Sequence, residues 1–150
     1  MSTYLKTTTI PTMKTIGEIQ IFLTDAGADA IQIENDSTTR EPKAMSFLYE
    51  VNGRKIPFRL PARVEPVYEK LHRERSIRTR SKYEEQDYEQ ARRVAWRQIL
   101  YWVKAQFALI DTGMVEAAEV FLPYAQVGID ETFYQKLKAG KFKALPEVVG

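Results

Sequence analysis

From Ser81 to Thr112 the chain contains neither proline nor glycine, and Gly113 closes the run. Nothing else in the sequence constrains the fold as much. Ser81-Lys82-Tyr83-Glu84 has the Ser-x-x-Glu form of a capping box, which satisfies the free N–H groups at a helix start. Gly113 follows Asp111-Thr112 where a left-handed C-cap belongs. The spacing predicts one helix of about 45 Å at 1.5 Å per residue. In its first half Tyr88, Ala91, Val94, Ala95, Ile99 and Trp102 share a face, with Glu85, Glu89, Arg92 and Arg93 elsewhere. In its second half Leu100, Tyr101, Trp102, Val103, Phe107, Ala108, Leu109 and Ile110 wrap most of the circumference. A helix apolar all round must be covered all round. Ile99 to Ile110 is therefore expected to form the central core helix or a subunit interface.

The chain has 150 residues, enough to bury a core, and 44% hydrophobic against 28% charged content is ordinary for a globular protein. No apolar run approaches the roughly 18 residues that a membrane span needs. The start, MSTYLKTTTI, has no hydrophobic signal core, so cytoplasmic residence is expected. Zero cysteines exclude disulfides, iron–sulfur clusters and thiolate zinc sites. A single histidine, His72, excludes a multi-histidine metal site within one chain.

The remaining elements follow in order. Thr3 to Ile10, rich in threonine, reads as a strand stopped by Pro11. Thr15-Ile16-Gly17-Glu18 reads as a second capping box. Ile16, Ile19, Phe22, Leu23 and Ala26 follow at helical spacing, and Gly27 ends that helix. Ala28 to Glu34 alternates as a half-buried strand with Ile31 and Ile33 on one side. Lys43–Val51 and Arg54–Leu60 flank Asn52-Gly53, a strong hairpin signal. A two-residue turn pairs Val51 with Arg54, Tyr49 with Ile56, Phe47 with Phe58 and Met45 with Leu60. The other face pairs Glu50 with Lys55, Leu48 with Pro57 and Ser46 with Arg59. Pro57 lacks an N–H and suits an edge strand. Pro66 fits a helix first turn, with Val64, Val67, Tyr68 and Leu71 as its apolar stripe. Arg73 to Lys82 reads as a helix end and exposed loop. Val115 to Phe121 and Asp130 to Leu137 read as short helices, the second capped by Asp130 and ended by Gly140.

This order predicts an α+β fold. A small antiparallel sheet, made of the N-terminal strand, the strand after the first helix and the Asn-Gly hairpin, packs against the long helix and shorter ones. Residues 1–140 are expected to form one domain and 141–150 a C-terminal tail. The succession of helix, three strands and helix from Thr15 to Leu71 is similar to that of double-stranded RNA-binding domains. The basic signature of those domains is absent at Glu65-Pro66-Val67-Tyr68-Glu69, so no residue role is carried over.

Catalytic signatures are lacking. The chain has no phosphate-binding glycine loop, no nucleophile elbow and no paired histidines. The expectation is a non-enzymatic protein with no catalytic residue, no metal ligand and no cofactor. The acidic group Glu84, Glu85, Asp87 and Glu89 is accounted for by the helix dipole at a helix start. The charge distribution is more informative. Residues 54–104 carry 14 basic and 7 acidic side chains within a chain of net charge +2. The candidate anion-binding residues are Arg54, Lys55 and Arg59 from the hairpin, Arg73, Arg75, Arg78, Arg80 and Lys82 from the loop, and Arg92, Arg93 and Arg97 from the long helix. Arginine forks match phosphate oxygens, and clustered cations are what backbone contacts to nucleic acid require. Tyr83, Tyr88 and Trp96 are interleaved and would stack on bases where exposed. Glu65, Glu69, Glu74 and the acidic group at the helix start lie in the same region, where they would pair with these cations on a solvated face. The belt Trp96, Tyr101, Trp102, Phe107, Phe121 and Tyr124 is read as core or as a homo-oligomer contact.

The phrases TTTIPTMKTIGEIQ, PFRLPARVE, RVAWRQILYWVKAQFALIDTGM and VFLPY, spread from Thr7 to Tyr124, resemble a family of short uncharacterised proteins of phages and related mobile elements. That family has no assigned activity. The resemblance implies a setting, either handling of phage nucleic acid or engagement of a host or defence nucleoprotein complex. The expected function is an accessory protein, homo-oligomeric, that binds DNA or RNA through the basic residues above. The alternatives are a protein-interaction module, whether inhibitor or subunit, and a sequestering pocket for an anionic nucleotide.

Overall fold

A computed structural model describes residues 2–148. The fold is α+β. Its elements are α1 (Thr12–Asp25), β1 (Ala30–Asn35), β2 (Pro42–Val51), β3 (Arg54–Pro61), α2 (Val64–Arg73), α3 (Glu84–Asp111), α4 (Ala117–Phe121), β4 (Gln126–Gly128), β5 (Glu131–Thr132) and α5 (Phe133–Ala139). The main sheet is antiparallel in the order β1-β2-β3, and β4 and β5 form a small second one.

The hairpin forms in the register that its sequence dictates. All seven expected pairs occur, from Val51 with Arg54 to Met45 with Leu60. Asn52 (φ 52°) and Gly53 (φ 78°) both adopt the left-handed conformation that a type I′ turn demands. β1 extends the same face, setting Ile31 opposite Phe47 and Ile33 opposite Met45. Pro57 lies in β3, at the edge of the sheet.

The long helix is continuous over 28 residues. Trp96, Leu100, Val103 and Phe107 are buried against Met45, Phe47, Phe58 and Leu60 of the sheet and Ile16, Ile19 and Leu23 of α1. Phe121 of α4 seals this core. Its ring meets Phe47, Phe58, Trp102 and Phe107 at centroid distances of 5.3 to 5.7 Å. A satellite cluster, Leu71 with Ala91 and Val94, joins α2 to the first half of α3. α1 and α3, each followed by a left-handed glycine, close by the Schellman pattern. Ala28 donates to the Leu23 carbonyl and Gly27 to Thr24; Met114 donates to Leu109 and Gly113 to Ile110.

Several expectations are corrected. Thr3 to Ile10 forms no strand but turns and irregular chain. Amide side chains of α3 hold it instead: Gln98 donates to the Tyr4 carbonyl, and Gln90 donates to the carbonyls of Lys6 and Thr8. Neither proposed capping box forms. α1 starts four residues earlier, with Pro11 rather than Thr15 at the N-cap, so Thr15 is buried in its second turn. A 3₁₀ turn over Arg80–Tyr83 leads into α3, with Tyr83 rather than Ser81 at the N-cap. The boxes that do form join Glu116 with Glu119 and Thr132 with Gln135. Asp130 is no cap; at φ 56° it turns the β4–β5 hairpin. The second half of α3 is not covered all round. Tyr101, Lys104, Ala105 and Ala108 face solvent, because sheet, α1 and α4 occupy only the other sides. Tyr101 is 38% exposed and meets Tyr4 edge-on at 6.2 Å. Of the expected tail, residues through Val148 are described, and 141–148 are exposed. No helix among the described residues is long and apolar enough to cross a membrane.

Candidate nucleic-acid interface

The basic loop is the link between two antiparallel helices. Leu71 packs on Ala91 and Val94, and Tyr68 stacks on Tyr88 with ring centroids 3.7 Å apart. This aligns the end of α2 with the start of α3 and forces residues 74–83 into a tight turn.

That turn is held from beneath by charge. Asp87, only 5% exposed, accepts from Arg75 Nη2 at 2.7 Å and Nε at 3.0 Å, and from His72 Nδ1 at 2.8 Å. Arg75 and His72 hold the Asp87 carboxyl below the ordinary aspartate value, since both favour its charged form. The Arg75 guanidinium also lies 4.0 Å above the Tyr83 ring. Arg80 donates to the carbonyls of Arg75 (3.1 Å) and Arg73 (2.8 Å), supplying partners that the end of α2 would otherwise lack. Lys6 binds Glu74 at 2.8 Å and lowers its pKa. Asp87 and Glu74 are thereby paired within the chain, while Glu84 and Glu85, which follow the turn, are exposed.

These bonds divide the eleven candidate cations. Arg75 and Arg80 are structural. Arg59 binds Glu34 across β2, at 2.9 Å through Nη2. Arg93 donates to Gln90 at 2.7 and 2.9 Å, and Arg97 binds Glu18 at 2.7 Å while touching Thr15. Lys55 lies 3.7 Å from Asp29. Arg92 is half-buried, 6.0 Å from the Tyr88 ring. Arg54, Arg73, Arg78 and Lys82 are exposed without an ion pair among the described residues.

Nor do these cations form one face. Arg54 and Lys55 stand at the hairpin tip, where Tyr49 packs on Phe107 at 5.6 Å. Arg73, Arg78 and Lys82 stand beside Asp87, twenty residues back along α3 or about 30 Å. The structure brings together the loop cations and leaves the hairpin cations apart. The expected stacking platforms are also consumed. Trp96 is fully buried. Tyr88 presents one face to Tyr68 and donates its hydroxyl to Glu65 at 2.6 Å, which pushes its pKa up to about 12. Tyr83 lies under Arg75.

Two features escaped the sequence reading. Ile77, 80% exposed, projects from the turn between the free arginines; its only sequence signal is one aliphatic residue within RERSIRTRSK. Beside the turn lies an open basin of about 820 Å³, where Lys82 and Arg92 face Glu41, Glu84, Glu85 and Glu89. Carboxylates outnumber cations there, the reverse of what sequestering an anionic nucleotide requires.

No protein-family model, no curated protein and no solved structure matches this chain.

Proposed function

We propose that the protein binds duplex nucleic acid through the turn between α2 and α3, with Arg73, Arg78 and Lys82 on phosphates. One observation carries this reading: the turn is fixed by Arg75–Asp87, Arg80 and Lys6–Glu74, so its backbone is pre-organised and presents Arg73, Arg78 and Lys82 without an ion pair among the described residues, Lys82 lying 5.9 Å from the Tyr83 ring. Pre-organisation lowers the ordering cost of binding. With Trp96 buried and Tyr88 engaged, base stacking has little to offer, which favours backbone contacts to a duplex over a single strand. Little sequence preference is expected from such contacts.

Fluorescence anisotropy with duplex and single-stranded DNA and RNA tests the reading. Three phosphate contacts predict that duplex affinity falls by about 40-fold between about 50 and 200 mM salt. Absence of duplex binding at the lower salt would sink it.

Ile77 favours a second reading, a protein-interaction module. An exposed aliphatic residue among arginines on a rigid turn has the composition of an interface anchor. In that case Ile77→Ser abolishes capture of a protein partner. Under the leading reading it leaves the salt slope of nucleic-acid binding unchanged.

A further inference from the structure

Both outer strands of the main sheet have an unpaired side, but only one of them is protected. β3 carries Pro57, which has no N–H, and is bridged at Phe58 by Ala125. β1 has neither safeguard. Its six residues, Ala30 to Asn35, include no proline, glycine or basic residue, and its only irregularity is a bulge at Glu34/Asn35. Among the described residues no backbone or side-chain group bonds its outer row of N–H and C=O groups. Such a row is a template for another strand. The edge is also electrically quiet. Asp29 beside it is matched by Lys55, and Glu34 by Arg59 and Lys43.

We propose that β1 pairs with β1 of a second copy of this chain, antiparallel, with Gln32 opposite its own counterpart on the two-fold axis. The partner follows from self-complementarity. In this register each Ile31 faces an Ile33 on the core side, so two apolar pairs extend the core across the axis. Gln32 faces Gln32 on the outer side, and Ala30 faces Glu34. A slip of two residues sets Ile33 against Asp29 or Ile31 against Asn35, and a slip of one sets core face against outer face. Three strands from each copy then make one six-stranded sheet.

The natural chain has no cysteine, so Gln32→Cys supplies a single thiol at an exposed position. Directly opposed residues bring Cα atoms to about 4.5–5.5 Å, within disulfide range. Mild oxidation should therefore convert Gln32→Cys to a covalent dimer, while Glu50→Cys, exposed on the central strand, forms no disulfide-linked dimer. Sedimentation velocity should show a wild-type dimer that Gln32→Lys shifts to monomer, because like charges then oppose across the axis. A wild-type monomer at the highest soluble concentration overturns the proposal. So does a dimer that survives Gln32→Lys and does not cross-link through Gln32→Cys. A monomer that takes up a strand from another protein overturns it too.

Discussion

Asp87 is the only buried charged residue among those described, and its burial is tolerated because every strong contact it makes is to a donor. Asp87→Ala would strand His72 and loosen Arg75. Since Arg75 is partly solvated, the loss should be about 2 kcal/mol in urea unfolding, below the roughly 3–5 kcal/mol of a fully buried pair. The acid limb follows from the same contacts. The carboxyls of Asp87, Glu34 and Glu74 are all held below their ordinary values by Arg75, Arg59 and Lys6 respectively. A lowered pKa contributes stability that is present above the unfolded value and lost as pH falls through the folded one. Unfolding free energy should therefore drop below about pH 4, and Asp87→Asn should make that drop shallower. Tyr88 works in the opposite sense. Its stabilisation is complete below the ordinary value of 10.0 and lost as pH rises toward 12. Burial raises Tyr68 as well, so ultraviolet titration should show two late-ionising tyrosines, of which Tyr88→Phe removes one. Phe121→Ala would empty the space between four aromatic rings and cost about 3–5 kcal/mol.

At the scale of elements, local rules that agreed with each other were reliable. The β2–β3 register was legible because turn chemistry and both strand faces demanded the same pairing. Gly53→Ala keeps the pattern but strains a residue at φ 78° with open space around it, so a loss of about 1 kcal/mol with an unchanged denaturant slope is expected. Single signals were unreliable. Ser81 and Thr15 have the spacing of N-caps, yet α1 begins earlier at Thr12 and α3 later at Glu84. The threonine-rich start suggested a strand by propensity, but it has no neighbouring strand to pair with. Gln90 and Gln98 satisfy its carbonyls across more than eighty residues, which no local pattern reveals.

Across the whole molecule, the excess of cations in the middle third was visible in the sequence, but their division was not. Pairing of Arg59 with Glu34, of Arg75 with Asp87 and of Arg97 with Glu18 depends on which elements meet in space. The same packing sends the hairpin cations to one end of α3 and the loop cations to the other. The central claim is that only the loop end binds. The slope of log affinity for duplex DNA against log salt tests it most directly. Neutralising Arg73, Arg78 and Lys82 should flatten that slope by about 2.7, or 0.9 per phosphate contact. Neutralising Arg54 and Lys55 should leave it unchanged. A slope that survives the first change, or collapses with the second, would contradict the account.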